Sequence, residues 1–312
     1  CALPIYLLDA SKMINPLSLL PQPPLPLPPP NKPSSYLSSA APTTPNTSVQ
    51  YRQKLTYLES LNVNSLKAVR LNPHFRSAPL QTLKCVENCL CSIGIPRSSL
   101  GRILDMYPQL LTADPHLDLY PVFEFLINDV ALPFPDVSRA VVRCPRLLVA
   151  GVDDQLRPAL MFLRELGFVG RQKINCHTTV LLVSNVENTL VPKIEFLASL
   201  GFSDSEVANM VIRSPALLTY SIEKNLRPKV DYFLKEMKRD MAEIKRFPQY
   251  FSFSLEGKIK PRHRLLMNHG FSMPLSEMLK VSDGEFNEQL LDMTLRFIDF
   301  GQSYCQRALK IA

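Results

Sequence analysis

Positive charge recurs in this 312-residue chain at two fixed places relative to its prolines. Arg143, Arg213 and Arg246 stand two residues before one set of prolines, and His177 stands two residues before Thr179, which holds the place of such a proline. Arg157, Lys193, Arg227, Lys229, Lys260 and Arg262 flank the prolines of a second set. Cations repeated at one interval suit the regular phosphates of a polyanion, where each neutralised phosphate releases counterions and affinity falls as salt rises. Such contacts position a protein on nucleic acid without reading bases. Basic side chains near helix ends also satisfy terminal carbonyls and the macrodipole, so the sequence leaves two uses open for each of them. The expectation carried forward is a nucleic-acid-binding surface made of Arg143, Arg157, Lys193, Arg213, Arg227, Lys229, Arg246, Lys260 and Arg262.

Other reactive residue types assemble into no recognisable reaction. Cys85, Cys89 and Cys91 match no common zinc-finger spacing, and helical spacing puts Cys85 and Cys89 on one face as small core residues. His74, His116, His263 and His269 show no pairing with nearby acids or thiols that would suggest a metal site or an activated nucleophile. Asp153-Asp154 suits a helix N-terminus better than a magnesium site. With no phosphate loop, nucleophile motif or metal constellation, neither an enzyme nor a cofactor is expected.

The prolines define a repeat. Pro108, Pro145, Pro215 and Pro248 are each followed by a leucine or aromatic pair at +2 and +3 and by a second proline at +13: Leu110-Leu111 and Pro121, Leu147-Leu148 and Pro158, Leu217-Leu218 and Pro228, Tyr250-Phe251 and Pro261. Thr179 begins a fifth unit with Leu181, Leu182 and Pro192. Successive units are offset by 37, 34, 36 and 33 residues, the period range of helical-repeat solenoids. Pro73 marks a degenerate unit before them, and the stretch from Ser272 to Leu291 reads as a cap.

Each unit reads as a helix pair. Leu100, Ile103 and Leu104, like Val207, Met210 and Val211, make one apolar stripe ahead of the first proline. Ser203 with Glu206 is a capping box that starts such a helix, and the proline stops it. The pair at +2 and +3 is too short for a helix and fits a single 3₁₀ turn that plugs the space between helices. The second proline is expected to open the next helix, whose buried face carries Phe162, Phe196, Tyr232 and Phe233; Tyr220 and Tyr250 lie off that face and are expected to be more open. Gly167-Phe168, Gly201-Phe202 and Gly270-Phe271 supply C-terminal caps. One pair cannot cover its own apolar face, so the units must stack.

Composition agrees. The chain is 46% hydrophobic, enough for a large core, and carries 35 Lys and Arg against 28 Asp and Glu, a formal +7 that favours a polyanionic partner. Seven cysteines, among them Cys144 and Cys176 in apolar or helical contexts, fit a reducing compartment better than a disulfide framework. No stretch approaches the roughly 18 apolar residues a membrane span needs. The proline-rich run from Pro21 to Pro30 cannot sustain a helix, and from Met13 to Leu58 the chain has no acidic residue but many Ser and Thr. That is the composition of an organelle transit peptide. Because the first arginine is Arg52, a plastid destination is expected, with the mitochondrion as alternative and Met13 as a start.

The segment Leu200-Gly-Phe-Ser-Asp-Ser-Glu-Val-Ala-Asn-Met-Val-Ile-Arg-Ser-Pro-Ala-Leu-Leu218, continued by Leu226-Arg-Pro-Lys-Val-Asp-Tyr-Phe-Leu234, resembles the motif of the mitochondrial transcription termination factor (mTERF) family, and related copies cover roughly Cys85 to Leu291. The resemblance implies an all-α fold: a right- or left-handed α-solenoid of stacked repeats, two helices plus a short 3₁₀ turn in each, forming a curved superhelix. The expected organisation is a disordered transit peptide and linker over 1–50, a degenerate helical unit over 51–84, the repeats over 85–291 and a C-terminal helical cap or tail over 292–312. The missing proline at Thr179, the weakly patterned Arg171 to Thr178 and the Tyr250-Phe251 pair predict irregularity at two places. The resemblance also implies a monomer, off the membrane, that binds organelle double-stranded DNA or RNA alongside transcription or RNA-processing proteins and regulates transcription termination. RNA splicing, ribosome assembly and a protein-interaction scaffold without nucleic acid are the alternatives.

Overall fold

The computed structural model describes residues 45–309, with side-chain environments over 48–298. Most of the expected leader lies outside the described residues, but its last stretch does not. Pro45–Ser60 form helix α1, so the boundary expected at residue 50 falls inside a helix. Pro45 suits a first helical position, and no proline follows it until Pro73.

From there the chain runs through α2 (Ser65–Leu71), α3 (Leu80–Ser92), α4 (Arg97–Met106), α5 (Tyr120–Glu124), α6 (Phe134–Arg143), α7 (Arg157–Glu165) and α8 (Val191–Ser199). It continues through α9 (Asp204–Arg213), α10 (Arg227–Lys235), α11 (Met241–Arg246), α12 (Lys260–Asn268), α13 (Leu275–Lys280) and α14 (Asp283–Leu309). No strand occurs among the described residues. The units stack as expected: α2, α4, α6, α9 and α11 each end at a first proline, and α3, α5, α7, α8, α10 and α12 are the second helices. The unit at Thr179 has no first helix; Gly170–Gln172 make one 3₁₀ turn and the chain reaches Thr179 through further turns, the irregularity its weak pattern predicted. Helix α14 runs unbroken across the boundary expected at residue 292.

The 3₁₀ plugs form at Pro73–Phe75, Pro108–Thr112, Pro145–Val149, Thr179–Leu181, Pro215–Thr219 and Pro248–Ser252. Their apolar pairs, from Leu110-Leu111 to Tyr250-Phe251, are at most 3% exposed and belong to one core that extends from Leu58 to Leu290. Each such side chain contributes about 1.5–3 kcal/mol by leaving water. Tyr250 is therefore not open, as its place off the helical stripe suggested; it is fully buried and its hydroxyl donates to the Lys229 carbonyl at 3.0 Å.

The second proline lies in the first turn of its α-helix, as expected, but the helical path begins ahead of it. Five-residue π turns precede it at Pro115–Leu119, Val152–Leu156, Val186–Leu190, Ile222–Leu226 and Leu255–Ile259, and each runs directly into the second α-helix. The Arg227 N–H donates to the Ile222 carbonyl, five residues back, and Arg157, Val191 and Lys260 do the same in their units. A proline has no N–H and its ring crowds the carbonyl four residues back. Widening the turn ahead of it moves those carbonyls off the ring and lets the helix start about six residues earlier.

Two glycine positions are set by geometry. Gly167, at φ 99°, turns α7 back so that the Phe168 N–H reaches the Leu163 carbonyl at 3.0 Å, a left-handed C-cap. Gly101 in α4 lies against the turn after α1, where a β-carbon would stand 2.1 Å from the Leu61 carbonyl oxygen. Gly101→Ala is expected to lower stability by about 3 kcal/mol by forcing those backbones apart. Urea unfolding followed by circular dichroism measures it, and an unchanged midpoint would show that the contact relaxes freely.

Candidate nucleic-acid interface

The nine expected interface cations divide by position into three groups with different surroundings. The residue after the second proline is buried. Lys193 is 8% exposed, Lys229 5% and Arg262 3%. Lys193 Nζ donates to the Leu218 carbonyl of the next unit's 3₁₀ plug. Lys229 Nζ donates to the Phe251 carbonyl at 2.6 Å and to Asn225 Oδ1 at 2.9 Å. Arg262 donates to the Met278 and Val281 carbonyls at 2.6 and 3.1 Å and pairs with Asp283. These three side chains are therefore removed from the expected interface, because each head group is already held inside the protein by the unit that follows. Burial pushes the Lys193 and Lys229 amines below the ordinary lysine range, the mark of an ammonium with little water around it.

Two further residues take the same role without having been singled out in the sequence. Lys54 on α1, 4% exposed, donates to the carbonyls of Phe75, Arg76 and Ala78 at 2.7–2.9 Å. Gln155 donates to the Ser184 carbonyl at 2.8 Å beyond the Thr179 plug. The last carbonyls of a 3₁₀ turn have no partner within the turn, and an unpaired buried carbonyl costs about 1–3 kcal/mol. Each of these five donors staples its own helix to the unit that follows it.

The residue before the second proline is at or near the surface. Arg157 pairs with Asp129 at 3.1 Å and with Asp153. Arg227 pairs with Glu223 at 3.0 Å and lies over the Phe196 ring, 5.3 Å from its centroid. Lys260 pairs with Glu256 and lies over the Tyr232 ring at 5.6 Å. Ion pairs four residues apart on an exposed helix are worth about 0.3–0.5 kcal/mol, so a phosphate can displace the carboxylate at small cost. Asp153 serves here as an ion-pair partner in the first turn; the N-cap is Gly151.

The position two residues before the first proline is open. Arg143 and Arg246 are exposed, with no acid against either among the described residues. Arg143 lines an open hollow of about 510 Å³ with Ser98, Ser99, Arg102 and Val142. Arg102 donates to the Val142 carbonyl there. Arg213 spans two units by donating to the Lys245 carbonyl at 3.2 Å and to the Arg246 carbonyl. That is the helix-end use the sequence left open, made across units instead of within one. His177 is also exposed. Both surviving groups flank the connection from first to second helix.

Comparison with known proteins bears on this geometry. The mTERF family model matches residues 87–180 and 136–287. Over 86 residues the chain is 35% identical to "Transcription termination factor MTERF4, chloroplastic" of Oryza sativa subsp. japonica, covering 28% of this chain and 17% of that protein. It is 34% identical over 93 residues to "Transcription termination factor MTERF5, chloroplastic" of Arabidopsis thaliana, covering 30% and 19%. Over 196 residues it is 24% identical to "Transcription termination factor MTERF8, chloroplastic" of the same plant, covering 62% and 39%. The match thus spans well under half the length of these relatives.

Proposed function

This chain belongs to the mTERF family, and from that membership we propose that it is a plastid protein that regulates organelle gene expression by binding double-stranded DNA or RNA, with transcription termination as its foremost role. One observation carries the reading. Once the buried staples are set aside, Arg143, Arg213 and Arg246 still recur at one position of stacked units, and none of them is paired with an acid among the described residues. The weakly paired Arg157, Arg227 and Lys260 add a second row. Equivalent residues of stacked repeats recur at a regular spacing, which a phosphate backbone can follow. The names of the related proteins carry both the compartment and the termination role, and the acid-poor, hydroxyl-rich leader supports the same compartment. No catalytic step is proposed.

Crosslinking and sequencing of nucleic acid bound to the tagged protein in isolated plastids tests this. Discrete DNA sites at transcript ends are expected. Recovery of intron or ribosomal RNA would replace termination by RNA maturation, and no nucleic acid above background would refute the proposal.

A further inference from the structure

The connections between first and second helices do not carry the same charge along the solenoid. In the units at Pro215 and Pro248 each π turn and the residue after it hold one acid and two cations: Glu223, Lys224 and Arg227, then Glu256, Lys258 and Lys260. In the units at Pro108 and Pro145 the stretch from the first proline to the residue before the second holds Asp114, Asp118, Asp153 and Asp154 against Arg146 and Arg157, and Arg157 is already paired with Asp129 and Asp153. On this acidic stretch lies a groove of about 720 Å³ that crosses the units of Pro73, Pro108 and Pro145. Its walls include Leu71, Leu117, Val149 and Val152 with the carboxylates of Asp118 and Asp153. Leu117 is 77% exposed and Leu71 49%, so two leucines face solvent at its edge. Asp118 Oδ2 is held by the Asp114 N–H at 2.8 Å, which fixes the carboxylate in place while the residue stays exposed.

We propose that this groove docks an extended segment of a partner protein in which lysine or arginine flanks an apolar side chain. The apolar residue would cover Leu117 and Leu71, and the cations would meet Asp118 and Asp153. Charge complementarity selects this occupant: a nucleic acid would bring phosphates against the Asp118 and Asp153 carboxylates, and an acidic peptide would do the same. The solenoid would then hold a protein in this groove by contacts distinct from the basic rows proposed to hold nucleic acid.

Panning a phage library of random twelve-residue peptides on the full chain tests this, followed by fluorescence anisotropy with the enriched peptides. Enrichment of sequences with Lys or Arg beside Leu, Ile or Phe is expected. Their binding should weaken at least tenfold in Leu117→Asp and in Asp118→Asn, which removes the charge but keeps an acceptor for the Asp114 N–H, both on exposed residues whose replacement leaves the melting temperature unchanged, and should be unaffected in Arg246→Gln. No enrichment, enrichment of acidic sequences, binding that survives Leu117→Asp, or competition by duplex or single-stranded nucleic acid would overturn it. Failure of nucleic-acid binding, read separately on the same protein, would leave this result standing.

Discussion

Replacing Lys193 and Lys229 together by methionine is expected to cost about 4 kcal/mol of stability, about 2 at each site, while leaving the salt dependence of nucleic-acid binding as it was. Methionine fills the channel left by the lysine stem but offers no donor, so the Leu218 and Phe251 carbonyls lose their partners. An orphaned buried carbonyl costs about 1–3 kcal/mol. Relief of the desolvated ammonium offsets part of this, which keeps the figure below that of a broken buried ion pair. The sites join different pairs of units, so their effects should nearly add. Burial holds both amines below 10.5 in the folded state, so the unfolded chain binds these protons more tightly and stability rises with pH. The wild type should therefore gain on the double variant as pH climbs from the lowered values toward 10.5. Urea unfolding at several pH values reads both effects. An unchanged midpoint, with a salt slope reduced by about two, would return the two lysines to the phosphate surface.

That pair of lysines also locates where the sequence could be read and where it could not. The 3₁₀ plugs at Pro108, Pro145, Pro215 and Pro248, the capping box at Ser203 and Glu206, and the glycine caps were all legible, because each rests on chemistry confined to a few neighbouring residues. The partner of Lys193 is 25 residues away and that of Lys229 is 22, and no local rule connects them. Yet a signal was present. The position after the second proline is Val122 in one unit and Ala159 in another, both buried. An apolar residue in two units of five marks a core position, and a basic residue there must find its partner inside. Moving to the far side of the proline, to Arg157 or Arg227, turns the side chain about 200° around the helix and out to solvent. The π turns were hidden for a related reason. Their cause, the missing N–H of the second proline, was visible, but its effect acts on the preceding turn, which the sequence had left as connection. Tyr250 follows the register of Leu110 and Leu217 despite its hydroxyl, because the Lys229 carbonyl accepts from it.

The complementary variant keeps the staples and removes open cations: Arg143→Gln, Arg227→Gln and Arg246→Gln in one chain. Arg143 and Arg246 have no acid partner among the described residues, and Arg227 gives up an exposed pair with Glu223 and its place over the Phe196 ring. Stability should therefore change by less than about 1 kcal/mol. If each arginine neutralises one phosphate of a duplex, the slope of log K against log salt should become shallower by about 2.7, or about 2.1 for a single strand. Over a fourfold rise in salt, from about 50 to 200 mM, wild type would lose about 40-fold more affinity for duplex than the variant does, and about 20-fold more for a single strand. The advantage of wild type is thus greatest at low salt and shrinks as salt rises, which a change of fold would not reproduce. The size of the slope change distinguishes duplex from single strand without knowledge of the target sequence, because counterion release depends on the charge density of the backbone. An unchanged slope in a variant that still folds would mean that these arginines meet no phosphate, and the binding edge would have to be sought elsewhere on the solenoid.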